Sequence, residues 1–151
     1  MTAESARKTI RTLTRLLPAL AAALPLLLAG SAFAFDLTVE VLNPKSDRGT
    51  VKGAVYASAE TWLKDGQAAQ LAMAPAAEKT VLVYRNLAAG SYAVSLFHDD
   101  NENGKFDTNV AGIPIERYGF SRDARGRMGP PAFADAVFEL TGDTTITVNL
   151  R

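Results

Sequence analysis

Cysteine is absent from the 151 residues. That excludes disulfides, thiolate metal sites, thiol catalysis and a lipid carried on an N-terminal cysteine. Histidine occurs once, as His98, and neither G-x-S-x-G nor H-E-x-x-H is present. A catalytic histidine needs a nucleophile or partner base beside it. Only Asp99 and Asp100 adjoin His98, so a hydrolase using His98 stands as an alternative to a strand-end histidine bonded to its own loop. Heptads, internal repeats and a low-complexity tail are missing too, and no charge excess is left over: 16 Lys+Arg balance 16 Asp+Glu.

Long apolar runs are also lacking. The longest stretch, Leu16 to Ala29, is 14 residues interrupted by Pro18 and Pro25, short of the roughly 20 that a spanning helix requires. It follows Arg7, Lys8, Arg11 and Arg15 and precedes "GSAFA", which sets Ala32 and Ala34 in small-x-small positions. Residues 1–34 are therefore expected to be a cleavable signal peptide, with an uncleaved anchor as the alternative. Residues 35–151 would form one soluble exported domain, periplasmic or secreted. Four basic and one acidic residue leave with the signal, so 12 Lys+Arg face 15 Asp+Glu, a net charge of −3. Mild acidity argues against nucleic acid and anionic membrane as partners.

What is present is period-two patterning, the signature of strands. "LTVEV" sets Leu37, Val39 and Val41 on one face, and "TVKGAVYAS" returns after the turn residues of "NPKSDRG". Gly53 within it marks a bulge or a close backbone approach. Ser58 is placed to cap a short helical turn over 59–64 that Asp65-Gly66 would stop, and the Ala-rich stretch to Pro75 is either loop or irregular strand. Strands over about 80–85 and 91–97 flank "NLAAG", and two more flank Thr141-Gly142-Asp143. Between Asp99 and Pro131 lies a long Gly-rich, polar excursion, a length that in a compact domain is usually functional or disordered. Its Ile113, Pro114, Ile115, Tyr118, Phe120, Met128 and Phe133 side chains are expected to tack it down. Six or seven short strands in a domain of this size predict an all-β fold, a single antiparallel β-sandwich.

The segment "HDDNENGKFD", residues 98–107, carries the sharpest chemistry. In the register of an EF-hand-type loop Asp99 takes position 1, Asn101 position 3, Asn103 position 5, Gly104 the sharp-turn position 6 and Asp107 position 9. Lys105 at position 7 would supply only its backbone carbonyl. A hard Ca²⁺ wants six to eight oxygens, and a turn pivoting on glycine aims alternate side chains at one point. Position 12, normally a bidentate Glu, is Val110, so the missing carboxylate would come from elsewhere, with Glu116 best placed. Asp100 and Glu102 alternate the other way. The competing reading is a hairpin tip of Asx turns with no cation. "RDARGRMGPP" places three arginines in one segment. It could bind an anion or an acidic partner; the plainer reading is a solvated turn that neutralises the acidic loop.

"HDDNENGKFDTNVAGIPIERYGFS", followed by "GPPAFADAVFEL", resembles the bacterial domain-of-unknown-function family 2141. "YRNLAAGSYAVSL" is similar to the NLxxGxY hairpin of transthyretin-like and collagen-adhesin B-type sandwiches. The resemblance implies a prealbumin-like sandwich with Leu87 and Tyr92 in the core and Gly90 at the turn. It implies no enzymatic activity. Asp99, Asn101, Asn103 and Asp107 would inherit a calcium-ligand role from sandwich modules that carry such loops, with Glu116 the extra carboxylate. The expected function is a non-enzymatic binding or interaction module with one structural Ca²⁺ and a binding surface at Tyr118, Phe120 and Phe133. Its partner would be a protein or a small ligand. The alternatives are a small-ligand or peptide carrier without metal, a sheet edge that accepts a partner's strand, and the His98 hydrolase.

Overall fold

The computed structural model describes residues 33–151. The expected signal segment therefore lies, apart from Phe33 and Ala34, outside the described residues. Eight strands follow in order: β1 (Ala34–Leu42), β2 (Thr50–Tyr56), β3 (Gln70–Pro75), β4 (Lys79–Ala88), β5 (Gly90–Asp99), β6 (Tyr118–Phe120), β7 (Phe138–Leu140) and β8 (Thr144–Asn149). They form a β-sandwich. One sheet runs β4-β1-β8; the other runs β3-β2-β5-β6, with β7 also paired to β5.

The alternation read from the sequence explains which faces meet. Leu37, Val39 and Val41 of β1, Leu82 and Tyr84 of β4 and Val148 of β8 are buried from one sheet. Val51 and Val55 of β2 and Tyr92, Val94 and Leu96 of β5 are buried from the other. Gly53 is a close approach rather than a bulge. A Cβ there would collide with the Tyr84 hydroxyl and lie 2.5 Å from a Leu96 methyl. The Tyr84 hydroxyl is itself buried without a hydrogen-bond partner. Burial, then the nearby Tyr56, pushes its ionisation well above the ordinary phenol range.

Two expectations need correction. The sandwich is not wholly antiparallel, because β8 lies parallel to β1, with Val39 opposite Ile146 and Val41 opposite Val148. Parallel neighbours require a long crossover, and here the rest of the domain supplies it. β7 pairs with β5 in one sheet, and the Thr141–Asp143 turn carries the chain across to the other. The predicted helix over 59–64 is a run of turns in which Leu63 adopts φ +55. A left-handed residue cannot continue a right-handed helix. The helical pieces fall instead at a 3-10 turn, Ser121–Asp123, and at α1, Phe133–Ala136. The Ala-rich stretch ending at Pro75 takes the strand alternative and is the edge strand β3. Its alternation was hard to read because its outward residues, Leu71 and Met73, are as apolar as its inward ones.

Candidate metal centre

The acidic segment starts where β5 runs out, and its base is clamped from the side. His98 is fully buried. Its Nδ1 accepts the Lys45 backbone N–H at 3.0 Å, so the proton sits on Nε2, which donates to the Arg48 carbonyl at 2.6 Å. Both ring nitrogens are thus spent on holding the 43–49 turn: the role is structural, but it serves a distant turn rather than the histidine's own loop as expected. Gly49, at φ +74, lets that turn touch the β5 end: a Cβ there would lie 2.9 Å from the Asp100 Cα. Asp100 faces the same turn, accepting the Ser46 hydroxyl at 2.6 Å and pairing with Lys45 at 3.4 Å.

The alternation then points Asp99 to the outer face of the larger sheet, where it is wholly buried under its own loop. One oxygen accepts the Asn103 N–H at 3.0 Å; the other accepts the Gly104 N–H at 2.9 Å and the Lys52 ammonium at 2.6 Å. Burial alone would push this carboxyl up. The Lys52 ammonium and the two amides outweigh it and hold Asp99 below the usual carboxylate range. Asp100 is held low as well, chiefly by the Ser46 hydroxyl and then by Lys45. Lys52 was not singled out in the sequence, because an outward lysine on a strand is an ordinary surface residue until the loop folds over it.

Within the turn, Gly104 takes φ +81, the left-handed conformation that glycine adopts without steric cost. Asn101 and Asn103 converge on one oxygen of Asp107, at 2.8 and 2.7 Å. Their own oxygens accept the backbone N–H of Asn103 and Lys105. Val110, the position-12 residue, projects fully into solvent from a small hairpin closed by the Thr108–Pro114 bridge. That hairpin brings Glu116 back beside the loop. Glu116 is only 6 % exposed; one carboxylate oxygen accepts the Asp107 N–H at 3.0 Å, and the other is buried with no partner. Hydrogen bonds thus link Asp99 with Asn103, Asn101 and Asn103 with Asp107, Asp107 with Glu116 and the Lys105 N–H with Asn103, while Asp100 turns to Ser46 and Lys45 and Glu102 is exposed. Among the described residues no three His, Cys, Asp or Glu side chains close on a single point. The amides and the Lys52 ammonium take the contacts between the carboxylates instead.

The arginine segment does not neutralise this loop. Among the described residues the ion pairs of the loop go to Lys45 and Lys52, whereas Arg122 donates to the Val137 carbonyl and Arg127 is exposed. Of the proposed surface residues, Phe120 is buried and Phe133 and Tyr118 are half-buried, all in a second cluster with Trp62. Trp62 stacks edge-on against Tyr56 and Phe133, and its indole N–H donates to the Pro131 carbonyl at 2.9 Å. Ile113, Ile115 and Met128 were expected to tack the loop down but are exposed. That work falls to Phe106, packed between Phe97 and Tyr118 at 5.5 and 5.7 Å, and to Ser121. The buried Ser121 hydroxyl accepts the Val94 N–H and donates to the Ala136 carbonyl, extending the β5 ladder past the end of β6.

Beside the loop, the outer face of the larger sheet is a groove of about 990 Å³. Ala54, Ser95 and Phe97 floor it, and residues 104–114 and 126–130 stand along it. Neither a curated protein nor a solved structure matches the chain. The family described as an uncharacterized protein conserved in bacteria, DUF2141, matches residues 39–148, from the first core strand to the last and including every residue of the candidate loop. The chain belongs to that bacterial family.

Proposed function

We propose that the chain is an exported, non-enzymatic binding module whose 99–116 loop holds one hard cation, Ca²⁺ by the chemistry of its oxygens. The carrying observation is the Glu116 carboxylate, buried beside Asp107 with one oxygen unpartnered. A buried polar atom without a partner costs about 1–3 kcal/mol, and more when it is charged. A divalent cation is the partner that removes this cost and neutralises Asp107 at the same time. The Asp99, Asn101, Asn103, Asp107 and Glu116 side chains and the Lys105 carbonyl would hold it. An all-oxygen set suits calcium rather than a soft metal. Bound there, the ion would supply positive charge that lets clustered carboxylates stay together. Asp99 would release Lys52 in exchange, and half-turns of the Asn101 and Asn103 amides would present oxygen where nitrogen now faces Asp107.

Export is supported by the 14-residue apolar run and the small-x-small site before Phe35. The transthyretin-like reading is supported by the β4–β5 hairpin. Its Leu87 and Tyr92 are core residues, and the Tyr92 hydroxyl ties back to the Ala88 carbonyl at 3.0 Å. Thermal melts in EDTA, in Ca²⁺ and in Mg²⁺ test the cation. Ligand at a hundredfold excess over its dissociation constant adds about 2.7 kcal/mol, which for so small a domain raises the midpoint by roughly 10 °C. No shift in millimolar Ca²⁺ ends the reading. The groove lined by Tyr118 and Phe120 favours a second reading, a carrier of small ligands.

A further inference from the structure

Of the ten large apolar side chains exposed among the described residues, five, Leu71, Met73, Phe106, Ile113 and Met128, line the one groove. Leu71 and Met73 are 75 % and 67 % exposed. Apolar surface gathered in one concavity marks a binding site more often than chance exposure does. The volume of about 990 Å³ lies at the upper end of small-ligand pockets. Its shape is set by the strands beneath. From Lys52 to Tyr56 along β2 is four residues, about 13 Å at the rise of a strand, so the floor is elongated and its two ends differ.

Lys52 stands at one end. Its side chain is 26 % exposed while its partner Asp99 is wholly buried behind it, so the charge turned toward the groove is the ammonium. An ammonium has three donors, and Asp99 takes one of them. Arg127 adds a second cation to the lining. At the other end Tyr56 and Asp65 close the groove with a phenol and an acid. An apolar channel with positive charge at one end and negative charge at the other takes an anionic terminal group at the Lys52 end and disfavours one at the Asp65 end.

We propose that this groove binds an elongated apolar anion, an acyl chain ending in a carboxylate, with the chain laid over Leu71, Met73 and Phe97 and the carboxylate on Lys52. This rests on the carrier reading and not on the cation. If the loop holds Ca²⁺, Asp99 is shared with the metal and the Lys52 end becomes more positive, so the ion tightens the anion and the anion tightens the ion by the same factor.

The test is calorimetric titration of the protein with dodecanoate and with dodecanol, each below its aggregation limit, in EDTA and again in Ca²⁺. Dodecanoate is expected to bind about tenfold more tightly than the alcohol, the scale of one charge-assisted contact. Lys52→Met should reduce that preference to within about twofold while the alcohol still binds. Met73→Asp changes an exposed side chain on the edge strand, so the fold survives, and both ligands should be lost. Equal affinity for acid and alcohol overturns the carboxylate site, and unchanged binding to Met73→Asp overturns the groove. Failure to bind dodecanoate in either buffer overturns both. A calcium melt shift in the same samples reports on the cation separately, whichever way the titration falls.

Discussion

Glu116→Gln reverses the order of two melting curves if the loop is a cation site. The substitution keeps an oxygen for the Asp107 N–H, now 3.0 Å from the carboxylate, and removes the charge from the oxygen that has no partner. Without metal an unpartnered carboxylate oxygen costs more than the roughly 1–3 kcal/mol of a neutral buried group, and the neutral amide that replaces it costs only that lower amount. Relief of even about 1 kcal/mol raises the midpoint by roughly 4 °C in a domain of this size. In EDTA the variant should therefore melt above the wild type. Saturating Ca²⁺ adds about 2.7 kcal/mol to the wild type at a hundredfold excess, and little to a variant that has lost a carboxylate ligand, so the wild type then melts higher. The assay is differential scanning calorimetry of both proteins in the two buffers. Lower stability of the variant in EDTA would show that the second oxygen is already bonded, and the reasoning from it would fail. Equal calcium shifts in the two proteins would remove Glu116 from the ligand set.

Other expectations follow from the same contacts. Gly53→Ala drives a methyl into the Tyr84 hydroxyl and the Leu96 side chain, and should cost about 1–3 kcal/mol in urea unfolding. Tyr84→Phe, which removes an unpartnered buried hydroxyl, should be neutral or stabilising and soften the Gly53→Ala penalty; strict additivity of the two would refute the contact. His98→Ala strips the 43–49 turn of its bonds to Lys45 and Arg48, and should lower stability by about 2–4 kcal/mol, seen as a shifted urea midpoint. Asp99 and Asp100 are held below the usual carboxylate range. Their contribution is therefore complete above the ordinary Asp value near pH ~3.9 and is lost as pH falls through their folded values. The urea midpoint should stay flat from about pH 7 to 5 and drop below about pH 4; a fall that is already complete by pH 5 would assign the acid transition to other groups.

The strands were legible wherever one face was buried. Leu37, Val39 and Val41 alternate with polar residues because the opposite face of β1 meets water, and the pattern follows the sheet. The same rule could not choose between loop and strand at β3, where Leu71 and Met73 face the groove, and it misled at 59–64, where local helix signals gave way to a left-handed Leu63. In the loop, spacing around Gly104 was enough to nominate Asp99, Asn101, Asn103 and Asp107, since a tight turn imposes that alternation by itself. Glu116 could be named only as the nearest spare carboxylate.

By itself, then, the sequence determined the class of fold, the inward residues of β1 and the oxygen-rich turn, all of which follow from contacts within about ten residues. Tertiary structure alone decided the rest. β8 lies parallel to β1 because β7 is taken up by β5. Lys52 meets Asp99 across 47 residues, and Glu116 is buried with a free oxygen because a hairpin folds it back. Five exposed apolar side chains from β3 and the long excursion share one groove only because the larger sheet and the excursion folded over it bring them there. Contacts between distant segments depend on how whole layers pack, and no local pattern of residue types encodes that packing.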